Sequence, residues 1–316
     1  MLENTAPSAP DALKVAGLRK IYEGGRGVSG VDLSVPAGAI TGFIGVNGAG
    51  KSTTLKAVMG LVSPQAGRIE ILGEPSNFES RRAVGFLPEE RGLAPRERAR
   101  DVIAFHGRLK GMDRRRAYAR ADELLERIGL AGRRRARIED LSKGNAQRVQ
   151  ILCALVHKPA LLVLDEPFTG LDPIAQAEVQ SLFAEQRARG GAILFSTHSM
   201  AVAERLCDRV AILAGGRTVF EGEVAEAAAH APNGAYVTLE DAEALLEVAA
   251  ALGGEARPFP SRMGEALRWR VLLPAHVPYV SLMRAMAERG LAIQGFEPIE
   301  PGLEGAFWAL SEKKAA

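Results

Sequence analysis

A glycine-rich segment, GVNGAGKST at residues 45–53, has the spacing G-x-x-x-x-G-K-[ST]. It follows the apolar run Ile40–Ile44 and precedes a helical pattern, so we expect a strand, a tight loop and a helix N-terminus in that order. Glycines in such a loop allow backbone N–H groups to turn inward, and the helix adds its positive end. The segment therefore predicts a cradle for phosphate groups. The alternative, a glycine-rich turn with a chance lysine, leaves the flanking strand and helix unexplained.

The side chains at the end of this loop have the chemistry needed to bind a nucleoside triphosphate with Mg²⁺. Lys51 is predicted to contact the β- and γ-phosphates, Ser52 to ligate Mg²⁺ through its hydroxyl, and Thr53 to support the α-phosphate. The preceding loop residues are expected to surround the phosphates with backbone, and they are Gly45, Val46, Asn47, Gly48, Ala49 and Gly50.

A second motif, LLVLDEP at residues 161–167, is an apolar strand pattern that ends in two carboxylates. A parallel sheet binds ligands at the carboxyl ends of its strands, which is where Asp165 and Glu166 would lie. Asp165 is expected to hold Mg²⁺, directly or through water, and Glu166 to polarise the water that attacks the γ-phosphate. Alone, a strand that ends in Asp-Glu is usually a capped turn, so this prediction depends on the upstream loop.

The segment LSKGNAQRVQ at residues 141–150 stands between the two motifs and offers a second phosphate cradle. Ser142 supplies a hydroxyl, Gly144 leaves its backbone N–H accessible, and a helical pattern begins at this point. A P-loop site already has one cradle of its own. The second one is explained if it serves the nucleotide that another copy of the chain binds.

The elements that must position these residues alternate along the first two thirds of the chain, which is typical of an α/β domain with a largely parallel sheet. The apolar runs that predict buried strands are Ile40–Ile44, Val84–Leu87, Leu161–Leu164, Ala192–Ser196 and Val210–Leu213. Residues from about 96 to 156 contain helical patterns and no convincing strand pattern. We therefore expect a helical subdomain between two sheet-forming blocks.

After about residue 222 the composition changes, and residues 223–316 predict a separate, smaller α+β domain. The predicted order is β-α-β-β-α-β, the ferredoxin-like or split βαβ arrangement, followed by a final helix. The predicted elements are strand Tyr236–Leu239, helix Asp241–Leu252, strands Glu255–Phe259 and Leu267–Leu273, helix Val277–Glu288, strand Leu291–Phe296 and a helix near Leu303–Leu310. At the other end, residues 1–11 have no apolar core and are expected to be a disordered lead-in.

The composition excludes several classes of protein. With 316 residues, of which 47% are hydrophobic and 25% charged, the chain can bury a core, so wholesale disorder is excluded. A formal net charge of +2 gives no global field for a nucleic-acid binder. Cys153 and Cys207 lie in apolar stretches, which argues against a disulfide scaffold and favours a reducing compartment. No segment has the ~20 apolar residues that a spanning helix needs.

Charge is uneven along the chain. Residues 81–137 contain 17 Lys or Arg and 8 Asp or Glu, whereas residues 221–255 contain 8 acidic residues and no Lys or Arg. Both runs are explained by a solvated surface. The basic run also fits a docking surface for an anionic membrane or an acidic partner, and both interpretations stay open.

These motifs, in this order, make residues 12–222 resemble the ATP-binding subunits of ABC transporters. LSKGNAQ is similar to the ABC signature, usually LSGGQ, and GLDP at residues 170–173 is similar to the D-loop. The resemblance implies that Tyr22 stacks on adenine, that Asp172 links the two sites of a dimer, and that His198 contacts the γ-phosphate as the switch histidine. By themselves, Tyr22 fits a core aromatic, Asp172 a capped turn and His198 a structural role.

The chain departs from the usual ABC pattern at four positions. Glu89, in VGFLPEERGL, stands at the Q-loop position, where most relatives have glutamine, and its carboxylate can ligate Mg²⁺ or its water but cannot donate as an amide does. Lys143 and Asn145 replace the first glycine and the final glutamine of the signature, and Val46 stands where relatives often have proline. LPEERGL and LSKGN look like a subgroup that serves separate membrane subunits, including sodium-export and drug-export types, and that carries a C-terminal accessory domain.

The resemblance implies a P-loop ABC ATPase that hydrolyses ATP with Mg²⁺. Two subunits, identical or paralogous, would close head to tail around two ATP molecules and drive transport, in the direction of export, through a separate polytopic membrane permease. The chain would then be cytoplasmic, on the inner face of the cell membrane. The role of the C-terminal domain stays open between a dimer brace and a regulator.

A rival interpretation is a soluble ABC ATPase that acts on ribosomes or nucleic acid. Translation-type relatives usually carry two ATPase modules in one chain, and repair-type relatives have a long coiled-coil insertion. Neither feature occurs in this sequence. No nucleic-acid partner is therefore expected.

Overall fold

The computed structural model describes residues 11–90, 92–259, 267–274, 276–299 and 302–312. The chain divides into two compact units, with the boundary between Glu223 and Val224. The boundary predicted from composition is one residue earlier, between 222 and 223. Of the predicted lead-in, residues 1–11, only Asp11 lies within the described residues.

The first unit is a mixed α/β fold, and its described strands form one sheet in the order β5-β4-β1-β2-β10-β9-β3-β8-β7-β6. The strands are β1 (Leu13–Ile21), β2 (Gly27–Val35), β3 (Ile40–Ile44), β4 (Ala66–Ile71), β5 (Glu74–Pro75), β6 (Val84–Leu87), β7 (Leu161–Leu164), β8 (Ala192–Thr197), β9 (Arg209–Ala214) and β10 (Arg217–Glu223). The helices are α1 (Lys51–Val58), α2 (Ala99–Leu109), α3 (Arg114–Arg127), α4 (Lys143–Leu155), α5 (Pro173–Ala188) and α6 (Met200–Leu206).

The strands that carry the sequence motifs form the parallel part of the sheet. β9, β3, β8, β7 and β6 are neighbours in that order, and each pair runs parallel. These are the five strands predicted from the apolar runs, and every end lies within one residue of its prediction. Because parallel strands share the same carboxyl edge, the loops after β3, β6, β7 and β8 meet there.

The rest of the sheet is mainly antiparallel, although β10 runs parallel to β2, and the expectation of a largely parallel sheet did not include these antiparallel pairs. β1 pairs with both β2 and β4 in antiparallel register, and β10 pairs with β9 in the same way. Buried and accessible positions mix along β1 and β2 instead of forming continuous buried runs. Such half-exposed strands are typical of antiparallel sheets with one face toward water.

The helical subdomain consists of α2, α3 and α4, within the predicted residues 96–156. Two of its helices begin at side-chain caps. The carboxylate of Asp113 accepts a 3.0 Å hydrogen bond from the N–H of Arg116, and the hydroxyl of Ser142 accepts a 3.2 Å bond from the N–H of Asn145. These caps satisfy N–H groups that have no partner inside the helix, so they determine where α3 and α4 start.

The second unit has its own sheet and core. Its elements are α7 (Val224–Ala228), β11 (Gly234–Leu239), α8 (Ala242–Ala251), β12 (Glu255–Phe259), β13 (Arg268–Leu272), α9 (Tyr279–Glu288), β14 (Ile293–Pro298) and α10 (Leu303–Glu312). The strands pair antiparallel in the order β12-β13-β11-β14, with β13 between the two strands that α8 connects. This is the split βαβ arrangement. Leu245 of α8 and Leu282 of α9 pack against Val271 of the sheet.

Among the described residues, no helix combines the length and the apolar character needed to cross a membrane. Cys153 and Cys207 are both free thiols. Burial raises the pKa of each thiol, so both stay protonated.

Candidate functional site

The glycine-rich loop joins β3 to α1 and borders a cavity of about 690 Å³. Gly50 precedes the helix with φ of +109°, a conformation that other residues rarely adopt, and a Cβ there would lie 2.3 Å from Cγ1 of Val28. This position therefore requires glycine. The residues that line the cavity are Tyr22, Arg26, Gly27, Val46, Asn47, Gly48, Gly50, Lys51, Ser52, Thr53, Glu89, Asp165 and Glu166.

Lys51 places a buried positive charge in this cavity, since only 7% of its side chain is exposed. Its Nζ donates a 2.6 Å hydrogen bond to the carbonyl of Gly45 and lies 3.7 Å from Oε1 of Glu166. A buried ammonium group requires such partners. The same Nζ can exchange them for the oxygens of an anionic ligand without leaving the cavity.

Two residues of the predicted phosphate loop, Gly45 and Ala49, are not part of the cavity lining. Gly45 packs so closely that a Cβ there would lie 2.7 Å from the carbonyl oxygen of Leu213. Ala49 is buried, and its N–H donates a 3.1 Å bond to the carbonyl of Val46. Both residues therefore support the conformation of the loop without lining the cavity.

The carboxylates after β7 are oriented by a hydroxyl from the neighbouring strand. Ser196 on β8 donates a 2.5 Å hydrogen bond to Oδ1 of Asp165, and its Oγ accepts a 2.9 Å bond from the N–H of Glu166. Asp165 and Ser196 are both buried. Ser196 was not among the predicted site residues, because its partners are some thirty positions away in the sequence and only the strand order brings them together.

Glu166 combines an unusual backbone with a network of polar contacts. Its φ of +48° lies in the left-handed region, and strained backbone of this kind is often found at functional sites. Nδ1 of His198 lies 3.0 Å from one carboxylate oxygen of Glu166 and 3.1 Å from the other. The hydroxyl of Thr169 also donates to this carboxylate, at 3.4 Å. His198 is thus brought to the edge of the site through Glu166.

The predicted Mg²⁺ ligands lie together at the edge of the cavity. The hydroxyl of Ser52 donates a 3.3 Å hydrogen bond to Oε2 of Glu89, and Asp165 lines the same space. Hydroxyl and carboxylate oxygens are ligands that Mg²⁺ prefers. Among the described residues, no group of three or more His, Cys, Asp or Glu could hold a metal ion. This donor set fits Mg²⁺ that is bound jointly with nucleotide phosphates.

Tyr22 also lines the cavity. It directly follows β1, and 39% of it is exposed. The ammonium of Lys20 lies 5.4 Å from the centroid of its ring. Arg26 lines the cavity as well, and its carbonyl oxygen accepts a 2.7 Å hydrogen bond from the N–H of Tyr22. Arg26 was not among the predicted site residues, because no motif in the sequence marks it.

Ser142, Gly144 and Asp172 do not belong to the cavity lining. Ser142 caps α4, and Asp172 caps α5 by accepting a 2.8 Å bond from the N–H of Ala175. At Gly144 a Cβ would lie 3.3 Å from the carbonyl oxygen of Gly170, so the two loops approach each other closely. The structure therefore separates these residues from the P-loop of the same chain.

Two contacts connect α4 to other parts of the site. Asn145 accepts a hydrogen bond from the guanidinium of Arg148, which also pairs with Glu178 on α5. The buried Gln150 donates to the carbonyls of Pro88, at 3.4 Å, and Glu90, at 3.2 Å, on either side of Glu89. Helix α4 is thus linked by hydrogen bonds to the segment that carries Glu89 and by an ion pair to α5.

Residues 28–169 match the family model described as ABC transporter. An uncharacterized ABC transporter ATP-binding protein of Bacillus subtilis, YhaQ, is 39% identical over 214 residues, which cover 68% of this chain and 72% of that protein. The chain belongs to the ABC transporter ATP-binding protein family. A Nod factor export ATP-binding protein I of Burkholderia lata is 42% identical over 62% of this chain and 65% of that protein.

Solved structures of ABC ATPases have the same fold. The structure of an ATP-binding subunit of an ABC transporter is 34% identical, with a TM-score of 0.64 over 68% of this chain and 91% of that chain. CbiO1 from Clostridium perfringens, part of the ABC transporter complex cbiONQ, is 26% identical, with a TM-score of 0.61 over 77% of this chain and 96% of that chain. As a member of this family, the chain carries an ABC ATPase domain, which binds ATP, and ATP hydrolysis is characteristic of the family.

Proposed function

We propose that this ABC ATPase works as a head-to-tail dimer in which each ATP is held by the P-loop of one chain and by Ser142 and Gly144 of the other. The observation that carries the proposal is the absence of Ser142 and Gly144 from the lining of their own chain's cavity. Both residues nevertheless stand at the N-terminus of α4, where backbone N–H groups attract phosphate. Both observations are explained if Ser142 and Gly144 bind the phosphates of a nucleotide that a second copy of the chain holds.

In this dimer Lys51 would contact the β- and γ-phosphates, with the backbone of residues 45–50 around them and Thr53 at the α-phosphate. Glu166 would orient the attacking water and accept its proton, and His198 would hold Glu166 and contact the γ-phosphate. A preorganised donor such as the ammonium of Lys51 typically contributes about 3 kcal/mol to transition-state stabilisation. Tyr22 would stack on adenine, and Asp172 would connect the two sites across the dimer.

Mg²⁺ is the metal that the donor set fits, and it would be held by Ser52, Asp165 and Glu89 together with the phosphates. When bound, it neutralises charge that develops on the phosphate oxygens. Glu89 brings a second carboxylate to the side of the cavity that Asp165 already occupies. Its contact with the Ser52 hydroxyl supports a role beside the metal instead of a purely structural one.

We also propose that ATP hydrolysis drives export through a separate membrane permease, which keeps the chain in the cytoplasm at the inner face of the membrane. The relatives named for Nod factor export support this direction of transport. For the docking site we propose the groove between residues 92–94 and α2, where Phe105 is 54% exposed and Leu109 nearby is 64% exposed. Exposed aromatic and aliphatic side chains of this size are typical of an interface.

Tagged Glu166→Gln protein, expressed in the native cell and purified from mildly solubilised membranes with Mg-ATP, tests the proposal. We expect a dimer by size-exclusion chromatography with light scattering, almost no ATP turnover, and a polytopic membrane protein in stoichiometric amount. Recovery with ribosomal or DNA-associated proteins instead would overturn the transport role. A monomer under saturating Mg-ATP would overturn the shared site.

A second variant locates the docking surface. Phe105→Glu in the Glu166→Gln background should lose the membrane protein while the ATP-dependent dimer remains. Phe78→Glu is the matched control, because Phe78 is 77% exposed and is not part of the groove. Equal loss of the membrane protein in both variants would refute the assignment of the groove.

A further inference from the structure

A second cavity, of about 740 Å³, is formed by the loop between α2 and α3, one face of α3 and the segment after α4. None of its lining residues borders the nucleotide cavity. Its permanently charged basic residues are Lys110, Arg116, Arg120 and Lys158, its titratable base is His157, and its acids are Asp113 and Glu123. We call this site the basic cavity.

The two acids of the basic cavity are already engaged. Asp113 caps α3 and lies 3.3 Å from Nε of Arg116, and Glu123 pairs with Arg120. Lys158 is exposed, and within the described part of the chain its ammonium makes no ion pair or hydrogen bond. The acids therefore leave the cavity with unbalanced positive charge.

Lys110 contributes to this excess from a half-buried position. Its Nζ donates to the carbonyls of Arg81, at 2.9 Å, and Val84, at 2.8 Å, which occupies two of its three N–H donors and does not neutralise its charge. Burial, and then the neighbouring Arg82, lower the pKa of Lys110. A carbonyl dipole is a weaker counter-charge than an anion, so an anion placed here would gain more than it would at the open surface.

The imidazole ring of His157 also lines the basic cavity, and its two nitrogens could each make a hydrogen bond to a ligand. Both ring nitrogens are buried, and neither makes a hydrogen bond of normal geometry to the described residues, although the Val84 carbonyl lies near the ring. Nε of Arg120 is also buried and makes no hydrogen bond to the described residues. Burial first, and then Lys110, lower the pKa of His157 to about 4, although the nearby Val84 carbonyl favours the protonated ring. Buried polar atoms without partners commonly mark a place for water or an ion.

We propose that the basic cavity binds a phosphate group, either free or carried by a small molecule or a lipid headgroup. Phosphate offers several acceptor oxygens and up to two negative charges, which match the ammonium of Lys158, the fork of Arg116 and the imidazole of His157. The volume exceeds that of the bare ion, so the rest of a phosphorylated molecule has room. The site lies at the amino end of β6, whereas Glu89 and the nucleotide cavity follow its carboxyl end.

The first experiment measures binding of inorganic phosphate to the full chain by calorimetry, in the Lys51→Ala background so that binding at the P-loop is weakened. We expect saturable binding that Arg116→Ala/Lys158→Gln weakens by about tenfold or more. Arg116 and Lys158 are exposed, so these changes leave the packing intact. Arg115→Ala is the matched control, because Arg115 is exposed on the same helix and is not part of the lining.

A second readout follows the imidazole of His157 by nuclear magnetic resonance. Phosphate should raise the pKa of His157 in the parent and not in the double variant, because the bound anion favours the charged ring. Flotation with phosphatidic acid vesicles, against phosphatidylcholine vesicles, distinguishes a lipid-borne phosphate from a free one. Binding of either probe that depends on Arg116 and Lys158 supports the site. Absence of both, or equal binding by parent and double variant, overturns it.

Discussion

The hydroxyl of Ser196 donates a 2.5 Å hydrogen bond to Oδ1 of Asp165 and accepts a 2.9 Å bond from the N–H of Glu166. One side chain on β8 therefore orients both acidic residues at the end of β7. The register explains the contact, because Leu164 pairs with Phe195, and the residues that follow them are Asp165, directly after β7, and Ser196 on β8. The arrangement resembles the outer-shell support of metal sites, in which a hydrogen bond fixes the direction of a carboxylate.

Ser196→Ala should lower the ATPase rate by about 10- to 100-fold, which is the usual effect of losing such a supporting hydrogen bond. Affinity for ATP should change little, since the P-loop and Lys51 are untouched. Steady-state ATPase assays and titration with a fluorescent ATP analogue measure the two effects separately. Thr41→Val is the control, because Thr41 is a buried hydroxyl on β3 without a partner among the described residues. Wild-type turnover by Ser196→Ala would contradict the prediction.

Lys51→Ala should weaken ATP binding itself. The Nζ of Lys51 is held in the cavity by Gly45 and Glu166, so it is already positioned for phosphate oxygens. A hydrogen bond to a charged group contributes about 1.5–3 kcal/mol, so we expect a loss of affinity of about tenfold to a hundredfold. Equilibrium titration with the ATP analogue measures it. Lys56→Ala, an exposed lysine on the same helix, should bind as the wild type does, and equal affinities in both variants would refute the phosphate cradle.

Local patterns were enough to find Lys51, Asp165 and Glu166, because the loop after β3 and the end of β7 are defined by short stretches of sequence. Their meeting in one cavity follows from parallel strands that share a carboxyl edge. Ser196 and Arg26 could not be found in this way. Ser196 reaches the acids only because β8 lies beside β7, and this strand order is a property of the whole sheet.

The same distinction explains the fold. Continuous apolar runs identified the buried parallel strands to within one residue, whereas β1, β2, β4 and β5 carry interrupted patterns that did not single them out. In the second unit the alternation of elements gave the correct order from β11 to β14, because each connection joins neighbours in the sequence. The sequence patterns therefore do not determine which strands lie next to each other in the large sheet.

Gln150→Leu should loosen the segment that carries Glu89. The amide of Gln150 donates to the carbonyls of Pro88 and Glu90, so leucine leaves these two partly buried acceptors without this donor. Each lost bond costs about 1 kcal/mol, and hydrogen exchange at Glu89 and Glu90 should accelerate by about tenfold. Exchange mass spectrometry measures this effect, with Gln147→Leu, at another buried glutamine of α4, as the control. Unchanged exchange at both residues would exclude the proposed link between α4 and this segment.

His157 predicts a loss of stability in mild acid. Its folded pKa is about 4, lowered from the usual value first by burial and then by Lys110, with His106 acting in the same direction. Between pH 6.5 and about 4, His157 is protonated in the unfolded chain but neutral in the folded chain. The contribution of His157 to the free energy of unfolding is therefore fully present above about pH 6.5 and decreases as the pH is lowered. The contribution is at most about 3 kcal/mol. Urea unfolding at about pH 7.5 and about pH 5 should show a smaller acid loss for His157→Gln than for wild type, and His276→Gln, an exposed histidine, should behave as wild type. Equal acid losses in all three proteins would show that His157 does not titrate on unfolding.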